Sequence, residues 1–281
     1  MGSGKTRLLL EGLSRNWGFY FTACPGPEGV GSSDLEEVRR DLELRLKKIT
    51  DENCDTTLKN NGGLARQRFL LLLYVRFVCF RVFLECAAAR PDWDTNDYKV
   101  PWLLIQLAPR TLLKSSEIFL ALTDCVGRAS IEYLERGIQQ ESSRISARLR
   151  SPLFCVLDEA QTLTKNLDFF QSKQVPPTSE PGRPILPEVL RLWSLMVPNL
   201  IVSGTGVSIQ TVESDLSSGV AKEGGRTDMV TEVGGFDDED GRRAYLERYF
   251  PPGFLDTSDG KEIVSRVGYW LRGRFIFNAG V

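Results

Sequence analysis

The feature that most constrains the fold is a short apolar run, L-F-C-V-L at 153–157, that ends in two adjacent acids. A continuous apolar run of this length is typical of a parallel strand that is buried on both faces. Strand composition recurs at 19–23 and 200–203, and an apolar alternation lies at 229–233. Helical patterns separate these segments. Strands that alternate with helices predict an α/β fold built on a parallel sheet.

Helical patterns fill most of the remaining chain. The first begins directly after the N-terminal glycines, and another has acids in its first turn, lysines in its last turn and Ser33 as the expected N-cap. We expect a polar loop at 51–64 and an exposed Pro-rich segment at 171–187. The predicted helices are 8–17, 34–49, 65–90, 100–126, 129–149 and 187–196, followed by a flexible loop at 214–228 and two helices after Asp237.

The segment at 69–89 (FLLLLYVRFVCFRVFLECAAA) is long enough to cross a bilayer. It contains Arg76, Arg81 and Glu85, however, and a charge at the bilayer centre costs about 2.5–3.5 kcal/mol on insertion scales. The uncharged run before Arg76 is also far shorter than the roughly 20 residues that a span needs. We therefore predict a buried core helix with its charged residues at the edges.

The chain has 281 residues and no histidine, which excludes histidine-dependent hydrolases, His-bearing zinc sites and haem proximal ligands. A net charge of −2 gives no indication of the basic surface that nucleic-acid binding usually needs.

The six cysteines form no C-x-x-C pair, and no signal peptide is recognisable. We therefore expect buried thiols in an intracellular, reducing compartment. The alternative for the cysteines is a disulfide framework.

The N-terminus carries a candidate phosphate-binding site. Gly4, Lys5 and Thr6 form the end of the pattern G-x-x-x-x-G-K-S/T, and a predicted helix follows. Backbone N–H groups at a helix N-terminus attract phosphate, the lysine of this pattern reaches the β- and γ-phosphates, and the hydroxyl binds Mg²⁺. The tripeptide alone is weak evidence for a phosphate-binding site, because the same three residues also occur by chance in an exposed polar terminus.

The acids after the central apolar run strengthen this interpretation. Asp158 and Glu159 follow F-C-V-L in the manner of a Walker B strand, which places an acid at the carboxyl end of a buried strand. In that arrangement Asp158 holds the Mg²⁺ hydration shell and Glu159 polarises the attacking water. The two motifs together predict binding and hydrolysis of ATP with magnesium.

Other polar residues are candidates for the same chemistry. Ser203 or Thr205 follows the strand at 200–203 and suits a sensor of the γ-phosphate or the lytic water, although small residues also suit a simple turn there. Arg272 and Arg274 suit arginine fingers that stabilise transition-state charge, although surface arginines are the commoner case.

Taken together, these motifs resemble the P-loop ATPase module of fungal Crinkler-type proteins, within the broad AAA-like and STAND-like group. The matching phrases are GSGKT, GLSRNWGFYFTACPG, RFLLLLYVRFVCF, LDEAQ, NLIVSGTG and WLRGRFIF. The resemblance implies a P-loop NTPase core at 1–235 and the start of a helical lid or C-terminal region at 236–281. It carries over no effector activity, because it covers only the ATPase module.

The sequence departs from the family pattern at its start. The first glycine of the phosphate loop and the strand that feeds it would precede Met1, so we expect a fragment or a wrongly assigned start. An in-frame stop codon directly upstream, with no apolar strand ending in glycine, would contradict this. The same residues also fit the N-myristoylation pattern M-G-x-x-x-S/T, which the phosphate-loop interpretation makes unnecessary.

Two other functions remain as alternatives. The chain could be a degenerate, non-hydrolysing ATPase that serves as an interaction module, with self-association or a protein partner. It could also be a helicase-like ATPase, because D-E-A-Q followed by S-G-T occurs in helicases, but no arginine-rich motif of the Q-x-x-G-R-x-x-R kind is present.

Overall fold

A computed structural model of the chain gives two compact units, Gly12–Arg226 and Met1–Glu11 with Thr227–Val281. The larger unit contains a small three-stranded parallel sheet flanked by helices, so the expectation of an α/β fold is confirmed at that level. The residues that the structure describes are 5–25, 30–47, 54–90, 97–113, 117–149, 151–164, 170, 185–204 and 239–270.

The elements follow one another in the order expected of alternating helices and strands. They are α1 (Lys5–Arg15), β1 (Gly18–Thr22), α2 (Asp34–Arg45), α3 (Cys54–Ala88), α4 (Lys99–Leu107), α5 (Pro109–Leu113), α6 (Ile118–Val126), α7 (Ile131–Arg148), β2 (Phe154–Asp158), a 3-10 helix (Ala160–Thr164), α8 (Leu186–Met196), β3 (Asn199–Val202), α9 (Glu239–Leu246), a second 3-10 helix (Phe254–Asp256) and α10 (Ser258–Trp270).

The sheet has the order β1–β2–β3, and both pairings are parallel. Thr22 lies beside Asp158 in the β1–β2 register, and Leu157 lies beside Val202 in the β2–β3 register. Strand β2, which ends at Asp158 and is followed by Glu159, is therefore central among the described strands. The three predicted strands are each within one residue of the observed bounds, whereas the alternation predicted at 229–233 lies outside the described residues.

Side chains of α4 cover the outer edge of β1. The indole Nε1 of Trp102 donates to the Gly18 carbonyl at 2.8 Å. Gln106, which is fully buried, accepts from the Tyr20 backbone N–H at 2.9 Å and donates to the Gly18 carbonyl at 3.2 Å. Because these side chains stand four residues apart on one helix face, they satisfy edge groups that a neighbouring strand would otherwise pair.

The core lies where α3 packs against one face of the sheet. Phe19 of β1 makes edge-on ring contacts with Phe77 and Phe80 of α3, at centroid distances of 4.9 and 5.8 Å. Phe21 packs against Trp193 of α8 at 4.5 Å. Alternate residues of a strand face the same side, so Phe19 and Phe21 are both buried against helices on one face.

An ion pair is buried inside this core. Arg76 of α3 and Asp34 of α2 are both almost completely buried, and Nη2 of Arg76 donates to both carboxylate oxygens at 3.0 and 2.9 Å. The guanidinium lies 4.8 Å from the Phe21 ring centroid and 3.6 Å from that of Phe119. The carboxylate and the two aromatic faces offset the desolvation of the arginine.

Arg76 corrects one prediction from the sequence. We expected the charged residues of this helix at its edges, and Arg81 and Glu85 do lie nearer solvent. Arg76 instead lies in the middle of the core, because Asp34 supplies the opposite charge there. Among the described residues, no helix is long and apolar enough to cross a membrane.

Several helix boundaries also differ from the predictions. Helix α2, expected at 34–49, ends at Arg45. The prediction of a polar loop at 51–64 is wrong from Cys54 onward, because residues from Cys54 onward belong to α3. Buried Asn61 accepts from the Lys47 N–H at 3.1 Å and donates to the Lys47 carbonyl at 2.8 Å, which fastens this polar stretch to the segment after α2.

The single helix expected at 100–126 is instead three helices, α4 to α6. Pro109 accounts for the first break, because the residue before a proline disfavours the helical region. Ser33 precedes α2 as expected, but its side chain makes no capping bond and donates to Glu117 instead.

The smaller unit has its own apolar cluster, formed by Leu246, Leu255, Val264 and Val267. These residues come from α9, the second 3-10 helix and α10, and within this unit the Arg7 guanidinium lies 5.2 Å from the Tyr245 ring centroid. The two helices predicted after Asp237 are confirmed by α9 and α10 within the described residues.

We expect Asp34→Asn to lower the free energy of unfolding by about 3–5 kcal/mol, because it leaves the Arg76 charge buried and uncompensated. Urea denaturation followed by circular dichroism measures this change. Glu36→Gln removes the partly exposed ion pair with Arg40 and is the matched control, with an expected loss of about 0.5 kcal/mol. Equal losses in the two variants would contradict the role of the buried pair.

Candidate functional site

The candidate site is built around Asp158, the last residue of the central strand. Its side chain is 2% exposed, and Oδ1 accepts from the backbone N–H of Glu159 at 2.9 Å. The backbone carbonyl of Asp158 accepts from the Ala23 N–H at 3.0 Å, just beyond the end of β1. The apolar run therefore ends by placing a buried, hydrogen-bonded carboxylate at the carboxyl edge of the sheet.

Glu159 turns the chain sharply away from the sheet. Its φ is +56°, and it is the one non-glycine residue with positive φ in the part of the chain that the structure describes. A left-handed conformation costs a residue with a Cβ atom about 1–2 kcal/mol. Residues that keep such strain cluster at functional sites, where the surroundings hold them in place.

The Glu159 side chain is half-buried and has a defined neighbour. The side-chain amide of Gln161, in the 3-10 helix that follows, donates to Glu159 Oε2. In the same turn, the Thr162 hydroxyl shares its single proton between the Glu159 carbonyl at 3.0 Å and the Ala23 carbonyl at 3.2 Å. The strained turn is thus tied both to the 3-10 helix and to the end of β1.

Ser203 flanks the acid pair from the other side. Its backbone N–H donates to the Leu157 carbonyl at 2.8 Å, and its carbonyl accepts from the Ala160 N–H at 2.9 Å. Ser203 is therefore bonded to the residue before the acid pair and to the residue after it. Its hydroxyl oxygen is buried and has no hydrogen-bond partner within the described part of the chain. A buried hydroxyl without a partner is uncommon and calls for an explanation, such as a bound ion, water or ligand.

Tyr20 of β1 is a site residue that the sequence alone did not reveal. Its hydroxyl donates to Asp158 Oδ2 at 3.1 Å, and the side chain is 2% exposed. Burial, together with the negative charges of Asp158 and Glu159, raises the pKa of the Tyr20 phenol, so it stays protonated and remains a donor. The sequence contained one indication of its position. Tyr20 lies between Phe19 and Phe21, and alternation along a strand places it on the face opposite to theirs.

The structure brings together three of the residues that the sequence predicted. Asp158, Glu159 and Ser203 meet at the carboxyl edge of the sheet in the larger unit. Lys5 and Thr6 lie in the first described turn of α1 and belong to the smaller unit. The remaining candidates Gly4, Thr205, Arg272 and Arg274 lie outside the described residues.

The site contains oxygen groups of the kind that Mg²⁺ prefers. In phosphate-binding enzymes the ion takes one or two protein carboxylates and completes its shell with phosphate oxygens and water. Asp158 supplies such a carboxylate. Among the described residues no three acidic or thiol side chains cluster as a dedicated metal cage. The residues present fit an ion that is bound with a phosphate ligand.

No protein-family model, curated protein or solved structure matches this chain. The assignment of a function therefore depends on the geometry of the residues themselves.

We expect Glu159→Gly to be more stable than Glu159→Ala by about 1 kcal/mol, because both remove the carboxylate but only glycine tolerates φ of +56° without strain. Chemical denaturation of the two purified variants measures the difference. A glycine variant that is less stable than the alanine variant would show that this turn is not strained.

Proposed function

We propose that this chain is a P-loop ATPase domain that binds ATP with magnesium, hydrolyses it and uses the cycle as a conformational switch. One observation carries the proposal. The central described strand of a parallel sheet ends in a buried aspartate that a strained glutamate follows, and a buried serine hydroxyl with no hydrogen-bond partner among the described residues flanks them. This is the arrangement that a Walker B acid pair and its sensor require.

Asp158 is proposed to hold the magnesium ion. Two hydrogen bonds, from Tyr20 and from the Glu159 N–H, fix the Asp158 carboxylate before any ligand binds. A carboxylate that is already oriented loses little entropy when it accepts a metal or its hydration shell. When bound, the ion neutralises charge on the phosphates.

Glu159 is proposed to be the general base. The positive φ turns it out of the strand direction, and the Gln161 amide holds one carboxylate oxygen. A carboxylate held beside the metal ligand is suited to polarise a water molecule for attack on a phosphate. The backbone strain at Glu159 supports a functional role, since a glycine there would relieve it.

The phosphate contacts are assigned to the N-terminal motif. Lys5 is proposed to reach the β- and γ-phosphates, and the backbone at Gly4 and the start of α1 to receive them. Support comes from α1, whose first described turn contains Lys5 and Thr6. Ser203 is proposed as the sensor and Arg272 as the arginine finger, the latter from the sequence motif alone.

Magnesium-dependent binding of ATP tests the proposal. Calorimetric titration with ATP, with and without magnesium, is to be done on the 281-residue chain and on a chain extended by the residues encoded upstream. Binding that needs magnesium and is lost in Asp158→Asn supports an ATPase. No ATP binding by either chain would favour the degenerate interaction module, and stimulation of hydrolysis by nucleic acid would favour the helicase-like alternative.

We expect Glu159→Gln to lower the rate of ATP hydrolysis about 10²–10⁴-fold and to leave ATP affinity within twofold of the unaltered protein, because the amide cannot accept a proton from water. Phosphate release under saturating ATP measures the rate, and the calorimetric titration measures affinity. Glu188→Gln makes the same chemical change on α8, where it removes a partly exposed ion pair with Arg191, and is the matched control that should leave both quantities unchanged. Unchanged hydrolysis in Glu159→Gln would refute the base role.

We also expect ATP with magnesium to slow alkylation of Cys24 at least severalfold. Cys24 is exposed, contrary to the expectation of buried thiols, and it directly follows Ala23, whose N–H donates to the Asp158 carbonyl. We therefore expect a ligand at this edge to shield its thiol. Cys86 of α3 and Cys125 of α6 are exposed internal controls whose alkylation should not change. Mass spectrometry after iodoacetamide treatment measures each site. Equal protection of all three thiols, or of none, would contradict binding at this edge.

A further inference from the structure

We infer that Tyr20 is a positioning residue for the metal ligand Asp158 and sets the affinity of the site for its divalent cation. The inference rests on the function proposed above and adds a residue from β1 that no sequence motif contains. Its basis is a contact between two buried side chains of neighbouring strands, with the Tyr20 hydroxyl oxygen 3.1 Å from Asp158 Oδ2.

The backbone of Tyr20 is fixed as firmly as its side chain. Its N–H donates to the buried Gln106 side chain at 2.9 Å, and its strand is paired in register with β2, where Tyr20 lies beside Val156. Val156 and Asp158 are two residues apart in β2 and so face the same side of the sheet as Tyr20. The hydroxyl thus reaches Asp158 from a rigid strand, which holds the donor more accurately than a loop does.

The two oxygens of Asp158 have separate hydrogen-bond donors. The Glu159 N–H serves Oδ1, and the Tyr20 hydroxyl serves Oδ2. Together they fix both the position and the rotation of the carboxylate plane. A carboxylate oxygen accepts more than one hydrogen bond, so the tyrosine contact leaves room for coordination.

The Tyr20 hydroxyl is placed to orient the carboxylate of Asp158. Partners of this kind orient the groups that bind a metal, and their loss typically weakens metal affinity about 10–100-fold. A purely packing role would place the tyrosine ring here without any requirement for the hydroxyl.

Tyr20→Phe tests the inference, because it keeps the ring and removes only the donor. Electron paramagnetic resonance of Mn²⁺ in the presence of ATP measures cation affinity, and a metal-free titration measures ATP affinity. We expect Mn²⁺ affinity to fall about tenfold while metal-free ATP affinity stays unchanged. Tyr133→Phe is the matched control, because it removes a tyrosine hydroxyl contact with Tyr74, at 3.4 Å, between α3 and α7. This control should match the unaltered protein.

Each other outcome has a definite meaning. If Asp158→Asn loses Mn²⁺ and Tyr20→Phe does not, the inference is wrong and the proposed function stands. If Asp158→Asn binds Mn²⁺ normally, the proposed metal site itself is wrong. An equal loss of Mn²⁺ affinity and metal-free ATP affinity in Tyr20→Phe would indicate a structural role and overturn the inference.

A second variant keeps the test decisive if Tyr20→Phe does not fold. Tyr20→p-aminophenylalanine retains an N–H donor at the same position on the ring. We expect it to keep Mn²⁺ affinity within about threefold of the unaltered protein, well inside the 10–100-fold loss expected without a donor. A folded p-aminophenylalanine variant with tenfold weaker Mn²⁺ binding would overturn the inference.

Discussion

The buried guanidinium of Arg76 connects three helices and the first strand of the larger unit. It lies on α3, pairs with Asp34 of α2, and stacks against the rings of Phe119 on α6 and Phe21 on β1. A charge inside a core is tolerated only where its partners are already in place, so these elements must assemble together. The buried pair therefore favours one packing of α2, α3 and α6 against β1.

That packing extends to the candidate site through two adjacent residues. Phe21, which covers one face of Arg76, immediately follows Tyr20, whose hydroxyl reaches Asp158 from the other face of the strand. Side chains that alternate across β1 thus connect the core to the acid pair. The same strand is fixed at its outer edge by Trp102 and Gln106. The site is consequently held by the sheet itself, and its one strained residue is Glu159, within the part of the chain described.

Much of the sheet and part of the site could be predicted from the sequence, because burial leaves a local signature. Continuous apolar runs located the strands to within one residue, and the adjacent acids located Asp158 and Glu159. The start of α3 could not be predicted, since its polar first turns are held by Asn61, which bonds to the backbone of Lys47. Tyr20 was missed for the same reason. Alternation along β1 indicates only which face Tyr20 occupies, and no local pattern identifies a partner that lies 138 residues away.

The side chains that cover the edge of β1 prevent another strand from pairing there. A strand whose backbone groups are occupied by an indole and an amide offers no template to another chain, so β-sheet aggregation cannot begin there while α4 is folded. Among the described strands, β3 forms the other edge of the sheet. The turn of α4 that carries Trp102 and Gln106 therefore blocks the addition of a strand at the β1 edge.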